Sequence, residues 1–200
     1  METLFQIIIL IFSAILHEYA HGIMAYQLGD PTAKNAGRLT LNPIAHLDWF
    51  GSVLLPAVMV LSRLPFIFGW AKPVPYNPFL LKDRRFGEAK VAIAGPVANL
   101  AIALALGLVI RLVPISEAFA NFIAIAVLIN IVLAVFNLVP LPPLDGSKIL
   151  AAFLPEKLRN KFLSLERFGF ILVIIFVMFG IGIIQPVVFG LFRLITGFSI

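Results

Sequence analysis

Four long stretches of the chain are strongly apolar, three of them without any charge. They run from Leu4 to Leu28, Val91 to Ile110, Ala118 to Val139 and Phe168 to Phe192. A helix rises 1.5 Å per residue, so about 20 residues cross the ~30 Å hydrocarbon core of a bilayer. Each stretch reaches that length, which predicts an all-α polytopic membrane protein with four transmembrane helices. A fifth run, Trp49 to Ser62, has only 14 uncharged residues, contains Pro56, meets Arg63 and continues through Pro65 to Phe68. That length suits a re-entrant or interfacial segment at about 49–68 better than a crossing, with five or six spans as the alternative.

The placement of cations arbitrates between these topologies, because Lys and Arg accumulate in cytoplasmic loops. Four crossings put 13 of the 15 Lys and Arg on one side, opposed only by Arg111 and Arg193. Five crossings move Lys34 and Arg38 across and weaken the split to 11 against 4. Four crossings are therefore preferred, with the N-terminus outside and both large loops cytoplasmic. The first stretch follows Met-Glu-Thr without a basic region and carries His17, Glu18 and His21, so it is expected to stay in the mature protein.

Composition narrows the picture. Only 12% of residues are charged and 61% are hydrophobic, with a mean hydropathy of +1.05, which excludes an ordinary soluble domain and a disordered chain. No cysteine is present, which excludes a disulfide framework, a cysteine metal site and a catalytic thiol. The net charge of +5 lies in loops beside apolar segments with no basic run longer than two residues, so nucleic acid is not an expected partner. No internal repeat or composition break marks a boundary, and residues 1–200 read as one membrane-embedded domain.

The chemistry enters at His17-Glu18-Tyr19-Ala20-His21, an H-E-x-x-H pattern inside the first apolar helix. Its histidines, four residues apart, share one helix face at a spacing that suits a single zinc ion. Glu18 projects beside that face, where a carboxylate can take a proton from water acidified by the metal. Three ionisable side chains in one intramembrane turn are costly and point to function rather than packing. A catalytic zinc site with an open position needs a third protein ligand, for which His46, Asp48, Asp30 and Asp145 are candidates. Asp145 is favoured. It follows Pro140, Pro142 and Pro143, which end the third long helix and leave irregular backbone at membrane depth, and Gly146 permits a close turn after it. It reaches the histidines only if its helix runs parallel to the first, as four crossings require. Antiparallel helices would leave it roughly 20 Å away.

With these residues in view the chain resembles the site-2 proteases, a family of membrane-embedded zinc metalloproteases. The resemblance rests on residues 17–21, on Asn137-Leu138-Val139-Pro140 through Leu144-Asp145-Gly146, and on Gly95-Pro96-Val97-Ala98-Asn99. It implies one zinc ion on His17, His21 and Asp145, Glu18 as general base, Asn137 as a polar contact to substrate or intermediate, and transmembrane proteins as substrates. It is closest to the compact branch without PDZ or CBS domains. Asn42 to Asp48 resembles that branch's own signature and makes His46 and Asp48 possible active-site neighbours. His46 would either approach the zinc or pair with Asp48.

Gly69 to Pro78 cannot be helical, because Pro73, Pro75 and Pro78 fix φ and extend their neighbours. An unwound substrate needs an edge to pair with, and Lys72, Pro73 and Tyr76 are assigned to it as candidate substrate contacts. The function expected is hydrolysis of peptide bonds in or beside transmembrane segments in a prokaryotic plasma membrane, with the active site towards the cytoplasm. A zinc transporter or sensor would need ligands at several depths, and an inactive scaffold would not need Glu18.

Overall fold

The computed structural model describes residues 2–46, 48–54, 58–59, 61–62 and 72–198. Every regular element among them is helical. Helix α1 spans Glu2–Gln27, and two single turns, α2 at Thr32–Asn35 and α3 at Pro43–His46, follow it. Two long helices come next, α4 at Gly87–Leu112 and α5 at Glu117–Asn137. The remainder comprises α6 at Asp145–Phe153, α7 at Glu156–Leu163, α8 at Gly169–Ile175 and α9 at Ile181–Thr196. Tighter and wider turns join the last three into one helical path from Glu156 to Thr196.

Four helical stretches are long and apolar enough to cross a membrane: Thr3–Gln27, Gly87–Leu112, Glu117–Asn137 and Glu156–Thr196. These are the four stretches read from the sequence. At most 39% of the apolar window in any of them is buried within the protein. The outward surface carries Leu4, Phe12, Phe170 and Ile171, an exterior suited to hydrocarbon rather than water. The fourth stretch continues as helix through Pro186 and stops where Gly197 adopts a left-handed φ of 81°. Of the segment at 49–68, Trp49–Leu54 forms a wide helical turn. Most of the rest of that segment, including residues 63–68, lies outside the described residues.

The helix starts have local causes. Ser116 accepts the N–H of Phe119 and caps α5, while the Asp83 carboxylate accepts the N–H groups of Arg85 and Phe86 just before α4. Lys90, then the Phe86 N–H, bring the pKa of the Asp83 carboxyl down to about 2 against the opposing effect of desolvation. The main apolar core lies between α4, α5 and α9, built from Ala103, Val127, Ile131, Ile184, Val188 and Phe192. Gly107 lets α4 approach α9 so closely that a Cβ there would collide with Ile195. Relative direction follows from residue pairing. Residues 91 and 99 of α4 bond residues 21 and 17 of α1, so these helices are antiparallel. Asn130 of α5 bonds Ser13, and Asp145 beyond its end reaches His17, so α1 and α5 run parallel.

Candidate metal centre

Helix α1 places His17 and His21 on its inward face, both over 90% buried. Each ring is held through Nδ1. His17 donates to Asn99 Oδ1 at 2.6 Å, and His21 donates to the Val91 carbonyl at 2.7 Å. The opposite nitrogens converge on one oxygen: Asp145 Oδ2 lies 3.0 Å from His17 Nε2 and 3.2 Å from His21 Nε2. Glu18 stands beside them, with one ligand atom from each of His17, Glu18 and His21 within a 4.8 Å group. The Leu141–Leu144 turns behind the prolines bring Asp145 back under α1. Gly146 packs against the Leu138 and Val139 carbonyls where a Cβ would not fit.

The donor set fits a cation. With Nδ1 protonated on both neutral rings, two nitrogen lone pairs face a carboxylate oxygen, an arrangement that repels unless a proton or an ion lies between. The 3.0 and 3.2 Å separations approach the ~3.3 Å edge of a tetrahedron with ~2.0 Å bonds. Space is provided by Gly95, where a Cβ would stand 2.5 Å from His21 Nε2 and 2.6 Å from His17 Nε2. Burial is the largest influence on Asp145 and opposes its ionisation. When protons rather than an ion lie between these groups, hydrogen bonds and charge from the two histidines outweigh burial and hold its carboxyl below the ordinary range.

These groups open on a cavity of about 240 Å³. Its lining includes Pro73, Val74 and Tyr76 from the extended segment, Asn137 from the end of α5, and Lys148 from α6. The Val74 N–H donates to Glu18 Oε2 at 2.8 Å. Asn137 donates one amide hydrogen to the Leu133 carbonyl. Burial pushes the Tyr76 phenol well above its usual pKa. Lys148 forms an ion pair with Glu166.

The remaining candidates sit elsewhere. Asp30 is fully buried and accepts from Thr32 and the Asn77 N–H. His46 is buried outside the cavity lining, where Nε2 donates to the Thr40 carbonyl at 2.8 Å and its own carbonyl accepts from Lys72 N–H. Asp48 accepts from Gly51 N–H. The Lys72 side chain is exposed and does not line the cavity. Sequence reasoning missed Val74 and Lys148. Lys148 was accessible to it, since three residues after Asp145 on one helix is the same face; Val74 was not, because its contact crosses 56 residues of chain.

Helices long and apolar enough to cross a membrane thus surround a His-Glu-His-Asp group whose donors suit a metal ion, the framework of a metal-dependent hydrolase. Comparison with known proteins agrees. The model of peptidase family M50 matches residues 111–182. The Bacillus subtilis protein named "Putative zinc metalloprotease YwhC" is 41% identical over 86% of this chain and 78% of its own length. Rip2 of Mycobacterium tuberculosis H37Rv, named in the same terms, is 30% identical over 82% of this chain, which spans 62% of that protein. Zinc metalloprotease MJ0392 of Methanocaldococcus jannaschii is 27% identical over 75% of this chain and 34% of its own length. No solved structure matches. The chain belongs to peptidase family M50, and it is a zinc metalloprotease of the site-2 protease type.

Proposed function

We propose that this protease cuts its substrates within or next to their transmembrane segments, from a single domain embedded in the bilayer. The observation that carries this reading is the convergence of His17, His21 and Asp145, with Glu18 beside them, on a cavity walled by helices long enough to cross a membrane. In this reading His17, His21 and Asp145 hold the ion. Zinc, when bound, polarises a peptide carbonyl and lowers the pKa of water at the site. Glu18 takes a proton from the attacking water and returns it to the leaving amine, a role worth about 10²–10⁴ in rate. The Val74 N–H fixes the carboxylate while it does so. Asn137, with one amide hydrogen committed to Leu133, has a second to offer the oxyanion.

A transmembrane helix must unwind before its backbone can enter such a cavity, and the extended wall at 72–77 offers it a strand to pair with. Pro73 and Tyr76 reach the cavity directly. Lys72 contributes through its backbone, whose N–H is held by His46 and whose carbonyl accepts from Arg38 at 2.7 Å. His46 therefore acts on the wall rather than on the ion. Charge asymmetry directs the active-site end to the cytoplasm, and relatives from bacteria and an archaeon favour a prokaryotic plasma membrane.

The test is to map the products. Purified protein in lipid vesicles is given a substrate with one transmembrane segment and an unstructured soluble tail, and the cut is located by mass spectrometry. Cleavage inside the segment or within a few residues of it is expected. Cleavage confined to the soluble tail would overturn the reading.

A further inference from the structure

Beyond the histidines, a buried chain of amides runs away from the cavity. Asn99 of α4 accepts from His17 through Oδ1, and its Nδ2 donates to Asn130 Oδ1 at 2.9 Å and to the Ser13 carbonyl at 3.2 Å. Asn130 of α5 donates in turn to Ser13 Oγ at 2.9 Å and to the Ala126 carbonyl at 2.9 Å. Asn99, Asn130 and Ser13 are at most 4% exposed, so water does not compete for these groups. All four amide hydrogens of the two asparagines are used.

The direction of every bond follows from its far end. A backbone carbonyl only accepts, so Asn130 must turn its NH₂ towards Ala126 and leave Oδ1 facing Asn99. Asn99 must then present NH₂ to that oxygen and to the Ser13 carbonyl, which leaves Oδ1 for His17. A flip of either amide would set oxygen against oxygen or leave N–H groups unpaired in a dry interior, at a cost that burial makes large. His17 is thereby required to carry its proton on Nδ1. His21 receives the same instruction in one step, from the Val91 carbonyl.

We propose that Asn130 and Ser13, which do not line the cavity, are positioning residues that fix the tautomer and orientation of His17 through Asn99. The inference rests on the reading of His17 as a zinc ligand. It assigns the parallel helix α5 a role beyond carrying Asn137: its carbonyl at Ala126 sets which His17 nitrogen offers a lone pair to the metal. Partners of this kind typically change metal affinity 10–100-fold when removed.

The test is zinc affinity by competition with a chelator, measured on the detergent-solubilised full chain, with ¹⁵N-histidine NMR of the zinc-loaded wild type. His17 is expected to show a protonated Nδ1; a protonated Nε2 would overturn the proposal without any variant. Asn130→Leu is expected to weaken zinc binding about tenfold. In the zinc-free protein Asn130→Leu is also expected to let His17 populate the Nε2-protonated form, which ¹⁵N-histidine spectra resolve. A role in packing alone would leave His17 protonated on Nδ1. His17→Ala separates the two levels of the argument. If it binds zinc like wild type, the ligand reading fails and this inference with it. If it loses zinc while Asn130→Leu does not, the relay alone is wrong.

Discussion

Gly95 shows how much of this site is decided by a missing atom. Its Cα faces the two Nε2 atoms so closely that one added methyl would occupy the space between them. Gly95→Ala is therefore expected to lower zinc affinity at least about tenfold and to abolish cleavage, with helix content unchanged by circular dichroism, since alanine favours helix over glycine. Wild-type zinc affinity in that variant would refute the placement of the ion. The histidines themselves were legible in the sequence, because a spacing of four on a helix is a geometric statement. Asp145 was legible through the prolines that precede it and the parallel direction of its helix. The clearance at Gly95 and the donor at Val74 were not, because both depend on which segments pack together in space. Periodicity along one segment says nothing of that.

The long helices were equally legible, since burying an uncharged run of 20 residues in lipid leaves the backbone no alternative to bonding itself. The extended wall at 72–77 was legible only as non-helical. Its anchoring comes from residues distant in the chain, up to 56 positions away: Arg38 on the Lys72 and Pro73 carbonyls, His46 on Lys72, Glu18 on Val74 and Asp30 on Asn77. Pro73 and Pro75 lack N–H groups, so this wall has few donors, and one of them already holds the proposed base. Arg38 is 9% exposed, and its loss would leave two carbonyls without their donor. Arg38→Leu is expected to reduce kcat/KM about tenfold or more while zinc stays bound, and Tyr76→Ala to act chiefly on KM. Cleavage at the wild-type rate in both variants would remove the wall from the account.

Across the whole molecule, three helices share one task. Helices α1 and α5 run parallel and deliver the histidines and Asp145 to the same end, and α4 runs between them in the opposite direction. It supplies the Val91 carbonyl, the clearance at Gly95 and the amide of Asn99. In the proposed orientation that end faces the cytoplasm, because 13 of the 15 Lys and Arg fall in the segments read as loops on that side. The fourth span closes the apolar core against α4 and α5, away from the chemistry.

The measurement that bears most directly on this account is zinc content together with cleavage of a reporter membrane protein in reconstituted vesicles, for wild type and Glu18→Gln side by side. The account predicts about one zinc per chain in both proteins and cleavage by the wild type alone. Cleavage retained by Glu18→Gln, or by a wild type that holds no zinc, would contradict it.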